Sequence, residues 1–130
     1  MKNVCFLFVL SFLSACSAQL GDKEKVHLAG TLLHELEQKA AYADSLKVEV
    51  LLLDPSAQNS LVQIPGGGFA FSKEYKEKVS GNKPLYRLVE KCNVSVLAYG
   101  TLKSYVAKEL IGKVPDREKD SLMRIYNNLR

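Results

Sequence analysis

This chain is poor in the residue types and spacings that announce chemistry. It has two histidines and three cysteines in 130 residues. His27 and His34 are seven apart and could share a helix face, but no Cys or acidic partner stands at ligand spacing beside them. They read as surface or half-buried side chains, and no metal site or cofactor is expected. No serine sits in a Gly-x-Ser-x-Gly elbow, so a hydrolase of that design is unsupported. Gly66-Gly67-Gly68 is not followed by Gly-Lys-Ser/Thr and is not a phosphate loop. Positive charge is in small excess, +4 overall. It is scattered over Lys23 and Lys25, over Lys73, Lys76 and Lys78, and over Lys103, Lys108 and Lys113, interleaved with acids and apolar residues. A nucleic-acid face would be denser, so no nucleic-acid partner is expected. Internal repeats and low-complexity blocks are absent, and the length suits one domain.

What is present begins at the N-terminus. Lys2 supplies a positive start, Val4 to Leu13 an apolar run broken by Ser11, and Ser14, Ala15, Ser17 and Ala18 the small residues of a processing site. The run is about half the ~20 residues that span a bilayer. Leu13-Ser14-Ala15-Cys16 resembles the lipobox of bacterial lipoproteins. The resemblance implies cleavage before Cys16, diacylglycerol on its thiol and an envelope protein held to a membrane through that lipid, facing the periplasm or exterior. Cleavage after Ala18 by an ordinary signal peptidase is the alternative. The expected divisions are a signal peptide over 1–15, a lipidated tether over 16–25 and a single α/β domain over 26–130. Residues 17–24 reach at most ~28 Å when extended, so the domain hangs close to the bilayer. Cys5 leaves with the signal and Cys16 carries lipid. Cys92 is then the only thiol, and no disulfide forms within one mature chain.

The remaining sequence alternates between helical and strand-like patterns. Apolar residues from Leu32 to Ala43 recur at helical spacing. Val48 to Leu53 and Val94 to Tyr99 are short and nearly all apolar, as in strands covered on both faces. Val26–Ala29, which could also open the first helix, and Lys113–Val114 are candidate further strands. Ala57–Gln63 reads as a short helix capped by Ser56, and Ile64–Phe71 as a loop around the triple glycine. Ser72 caps a helix over Lys73 to Val79, and Pro84 opens one that Asn93 ends. Gly100-Thr101 turns into a helix ended by Gly112, and Asp116 caps the last one. The expected fold is a small three-layer α/β domain with a mainly parallel sheet of three or four strands.

In such sheets ligands sit beyond the strand carboxyl ends. That places candidate ligand-binding residues at Asp54 and Ser56 and at Tyr99, Gly100 and Thr101. Gly100 permits close backbone approach, and the helix after it offers free N–H groups to an anion. Helix capping by Asp54, Ser56 and Thr101 explains the same residues without a ligand. Cys92 is a candidate free thiol, although its place in an apolar helix stripe favours a buried, inert group. Phe69 and Phe71 on the glycine hinge could form a flap, or simply pack on the core.

At these positions the chain resembles the DsrE-like sulfur-transfer family. The likeness is carried by Val48 to Ser56, Lys91-Cys92-Asn93-Val94 and Ala98-Tyr99-Gly100-Thr101-Leu102. It implies an α/β fold, a tendency to oligomerise and a pocket near Tyr99. It does not imply sulfur transfer, because Tyr99 stands where the family's persulfide cysteine would be. The reading favoured by the sequence is a non-enzymatic envelope lipoprotein that binds a small ligand or protein partner. A sulfur- or thiol-handling protein and a structural subunit of an envelope complex are the alternatives.

Overall fold

A computed structural model describes residues 20–129. The signal segment, Cys5 and Cys16 lie outside the described residues. Among these residues the fold is helical. Helix α1 spans Asp22–Leu53, a 3-10 turn Pro55–Ser60, strands β1 and β2 Leu61–Gln63 and Phe69–Phe71, helix α2 Lys73–Lys78 and helix α3 Lys83–Tyr105. A π-helical turn at Val106–Leu110, a 3-10 turn at Ile111–Lys113 and helix α4 at Asp116–Asn127 complete it. The one sheet among the described residues is an antiparallel pair of three-residue strands.

The expected parallel sheet is therefore corrected. Val48 to Leu53 is the last part of α1, and Val94 to Tyr99 lies inside α3. Val26–Ala29 is also helical, and Lys113–Val114 ends a 3-10 turn. The burial pattern gives the reason. Ala43, Leu46 and Val50 are buried, whereas Val48 is 53% exposed, Leu52 78% and Leu53 65%. A strand covered on both faces would hide all six residues of that run. A helix hides only those on one side. In α3, Leu85, Val89, Cys92, Val96, Tyr99 and Leu102 are buried at steps of three and four, while Leu97 is exposed.

The ends of the helices follow from local chemistry. Asp22 and Glu24 stand in the first turn of α1, where the helix dipole favours negative charge. The Asp54 N–H still donates to Val50 O at 2.8 Å. Asp54 itself is extended, φ −145° and ψ 92°, as the residue before a proline tends to be. Ser72 caps α2 by accepting from the Tyr75 N–H, as expected. Asn82 accepts from the Leu85 N–H at 3.2 Å and caps α3, so Pro84 falls at the second helical position rather than the first. Asp116 is the first helical residue of α4 and not its cap.

The chain falls into two compact units. In the unit made of residues 20–38 and 101–129, α1 buries Ala29, Leu32, Leu33 and Leu36. The later segment buries Leu102, Tyr105, Val106, Leu110, Ile111, Val114 and Leu122. Its π-to-3-10 transition passes through Gly112, where a Cβ would sit a tight 3.0 Å from Ala107 O.

The unit Lys39–Gly100 has a core of Ala43, Leu46 and Val50 from α1, Ala57, Phe71, Tyr75 and Val79, and Leu85, Val89, Cys92 and Val96 from α3. The hairpin is docked on this core through Asn93. That residue does not end a helix; it lies within α3, and its side chain serves the strand. Asn93 Oδ1 accepts from the Phe71 N–H at 2.8 Å and Nδ2 donates to Phe71 O at 2.9 Å. Both polar backbone groups of a buried residue are thus satisfied by one amide. The glycine loop comes equally close. Gly66, Gly67 and Gly68 all have φ near +90°, a region other residues avoid. A Cβ on Gly66 would meet Gly100 O at 2.9 Å, and one on Gly100 would meet Pro65 O at 3.2 Å.

Two substitutions test this account in a denaturant titration. Asn93→Ala leaves two part-buried backbone groups of Phe71 unpaired and should cost about 1–3 kcal/mol. Gly30→Ala, in an open stretch of α1 with nothing within 4 Å of the new Cβ, should instead stabilise by about 0.5–1 kcal/mol.

Candidate functional site

The loss of the parallel sheet removes the strand ends on which the expected pocket was built. The candidate residues separate accordingly. Asp54 and Ser56 stand where α1 gives way to the 3-10 turn. Tyr99, Gly100 and Thr101 are consecutive residues of α3, so none of them lies at a strand end or helix start. Tyr99 is buried and Thr101 is exposed. Thr101 therefore does not cap a helix. Gly100 does admit close backbone approach, as expected, but the backbone it admits belongs to Pro65 and Gly66.

Asp54 is the centre of a polar cluster. Its Oδ1 accepts from the Ser56 N–H at 3.1 Å and from Ser56 Oγ at 2.6 Å, and its Oδ2 accepts from Tyr75 Oη at 2.8 Å. The cap of the 3-10 turn is thus Asp54, and Ser56 is its donor. The Ser56 hydroxyl, then the Tyr75 hydroxyl, hold the Asp54 carboxyl below its ordinary value of 3.8. Burial, then the hydrogen bond to Asp54, push the Tyr75 phenol up to about 12. The phenol is a donor locked to a carboxylate, and the carboxylate is the ionised acceptor of three bonds. This arrangement ties the end of α1 to α2. Tyr75 was not among the residues singled out from sequence. Its separation of 21 positions from Asp54 leaves no local signal.

Cys92 is fully buried in the core, with Sγ 3.9 Å from Ala43 O. Burial pushes its thiol up to about 11. Thiolate is the reactive form, so the group is inert at neutral pH. Phe71 is buried and tilted against Tyr75 at 5.5 Å between ring centroids. Phe69 is 48% exposed. Of the two phenylalanines on the glycine hinge, one anchors the hairpin and the other faces outward.

Among the described residues no group of three or more His, Cys, Asp and Glu could hold a metal ion. No described helix is long and apolar enough to cross a membrane. The segments carrying the DsrE-like likeness are helical where that family's fold would need strands. The α/β fold implied by the likeness is accordingly absent.

Three measurements check these assignments. In a spectrophotometric titration Tyr75 ionises near pH 12, and Asp54→Asn lowers that value while leaving it above 10, since burial is the larger cause. The lowered Asp54 favours the fold as a carboxylate. Its contribution is complete above the ordinary 3.8 and drains away as the pH falls through and below that value, a loss that Asp54→Asn should lack. In peptide-resolved alkylation at pH 8, Cys92 in the folded chain should react at least ~100-fold more slowly than in urea. No protein-family model, no curated protein and no solved structure matches the chain.

Proposed function

We propose that this chain is a lipid-anchored protein of the bacterial cell envelope, and that its helical part acts by binding a protein partner rather than by catalysis. The observation that carries the anchor is Leu13-Ser14-Ala15-Cys16, placed after one lysine and a short apolar run. Support for binding over catalysis comes from what the chemically capable groups already do. The Cys92 thiol is buried and held protonated, and the Asp54 carboxylate is committed to Ser56 and Tyr75. Support for a protein partner comes from the surface. Val48 and Leu52 lie one turn apart on α1, and Leu53 follows, all more than half exposed. Apolar side chains grouped in this way mark contact surfaces more often than scattered ones do.

The anchor is tested by producing the full chain in a bacterial host and partitioning it between detergent and aqueous phases. The native chain should enter the detergent phase and incorporate labelled fatty acid. Cys16→Ser should incorporate none and move to the aqueous phase. Label retained in Cys16→Ser would refute the anchor. Leu52→Lys should leave anchoring intact and weaken partner contacts only.

A further inference from the structure

From Pro55 to Ser72 the chain carries no charged residue, although a quarter of the whole sequence is charged. Those residues hold the hairpin, and with it a strand edge. The pairing is Leu61 with Phe71, Val62 with Ala70 and Gln63 with Phe69. The bonds that frame it run from the Ser72 N–H to Ser60 O at 2.8 Å and from the Ile64 N–H to Gly68 O at 3.1 Å. Hydrogen-bonded pairs in an antiparallel ladder alternate. Ser60–Ser72, Val62–Ala70 and Ile64–Gly68 are therefore the bonded pairs, and the polar groups of Leu61, Gln63, Phe69 and Phe71 point away from the partner strand. On the β2 side this is what places the Phe71 N–H and C=O against Asn93. On the β1 side the Leu61 C=O and the Gln63 N–H and C=O point outward, and no described residue bonds to them.

Natural sheets protect such an edge by keeping the strand very short or with lysine, proline, a bulge or a covering segment; of these β1 has its three-residue length but no lysine or proline within it. Here the edge strand is Leu-Val-Gln, with Val62 45% exposed at its centre. We propose that the outer edge of β1 pairs with the same edge of a second copy of this chain, making a continuous four-stranded antiparallel sheet. Two features select a second copy over another partner. The first is register. A two-fold axis through Val62 puts each Leu61 opposite Gln63 of the other copy, so that each Gln63 N–H donates to the other copy's Leu61 C=O. The outward groups are thus complementary to themselves. The second is charge. With no ionised side chain between Asp54 and Lys73, two copies meet without like-charge repulsion, and a charged partner would find nothing to pair with. The two Val62 residues meet as a non-hydrogen-bonded pair, with Cα atoms about 4.5 Å apart. This pairing does not depend on the lipid anchor, so its failure and that of the anchor are read separately.

The test uses the full chain in density-matched detergent. Sedimentation equilibrium should give a dimer whose population rises with concentration. Val62→Lys places two ammonium groups face to face, and Gln63→Pro removes an outward N–H while sparing the inward ladder. Each should weaken the dimer at least ~10-fold while leaving the circular dichroism spectrum and unfolding midpoint close to native. In a Val62→Cys chain under mild oxidation, linked peptides should join residue 62 to residue 62, because a spacing near 4.5 Å suits a disulfide. Val48→Cys, somewhat more exposed on α1, should link far more slowly. A monomer at every concentration overturns the proposal. So does a dimer unaffected by Val62→Lys and Gln63→Pro, linking through position 48 in preference to 62, or a monomer whose edge captures an extended peptide from another protein.

Discussion

One side-chain amide holds the non-helical part of the Lys39–Gly100 unit in place. The Asn93 carboxamide offers an acceptor and a donor at the spacing of a peptide unit, and it meets the Phe71 N–H and C=O as a neighbouring strand would. A three-residue strand cannot stabilise itself in water. Anchored at Phe71, it sends one ring into the core beside Tyr75. Tyr75 in turn reaches the Asp54 carboxylate that closes α1. The glycine loop then folds back until its backbone rests on Gly100. These contacts lie in one unit, and the first of them is made by a residue within α3.

Several polar residues of this unit are spent on construction. Asp54, Ser56 and Tyr75 satisfy one another, and Ser72 and Asn82 close helix ends. The thiol of Cys92 is packed among aliphatic side chains. What is left toward solvent includes apolar groups on α1 and an uncharged strand edge.

Only some of the helix boundaries were legible in the sequence: Asn93, Thr101, Ser56 and Asp116 do not end or cap helices as expected. Ser72 as a cap, the turn before Pro84 and the glycine loop are legible because each is decided by one or two adjacent residues. Val48 to Leu53 and Val94 to Tyr99 misled because short apolar runs have no visible period when read alone. Their period shows only when the window is widened: Ala43, Leu46 and Val50, or Val89, Cys92, Val96 and Tyr99, continue stripes that start well upstream. The exposed Leu52, Leu53 and Leu97 break the assumption that apolar residues are covered. Asn93 and Tyr75 were illegible for another reason. Their partners lie 22 and 21 positions away, and no local pattern encodes such a pairing. With the parallel sheet gone, the expected pocket at strand ends had no basis, although Asp54, Ser56 and Gly100 did prove to be points of close contact.

The occupied amide of Asn93 has a practical consequence. Asn93-Val94-Ser95 spells the acceptor of N-linked glycosylation. In a eukaryotic secretory host the same three residues would be open to glycan transfer while the chain is still emerging. A sugar on Nδ2 would then occupy the space that β2 must enter. The hairpin, and everything ordered by it, would be kept from closing by the choice of expression host alone.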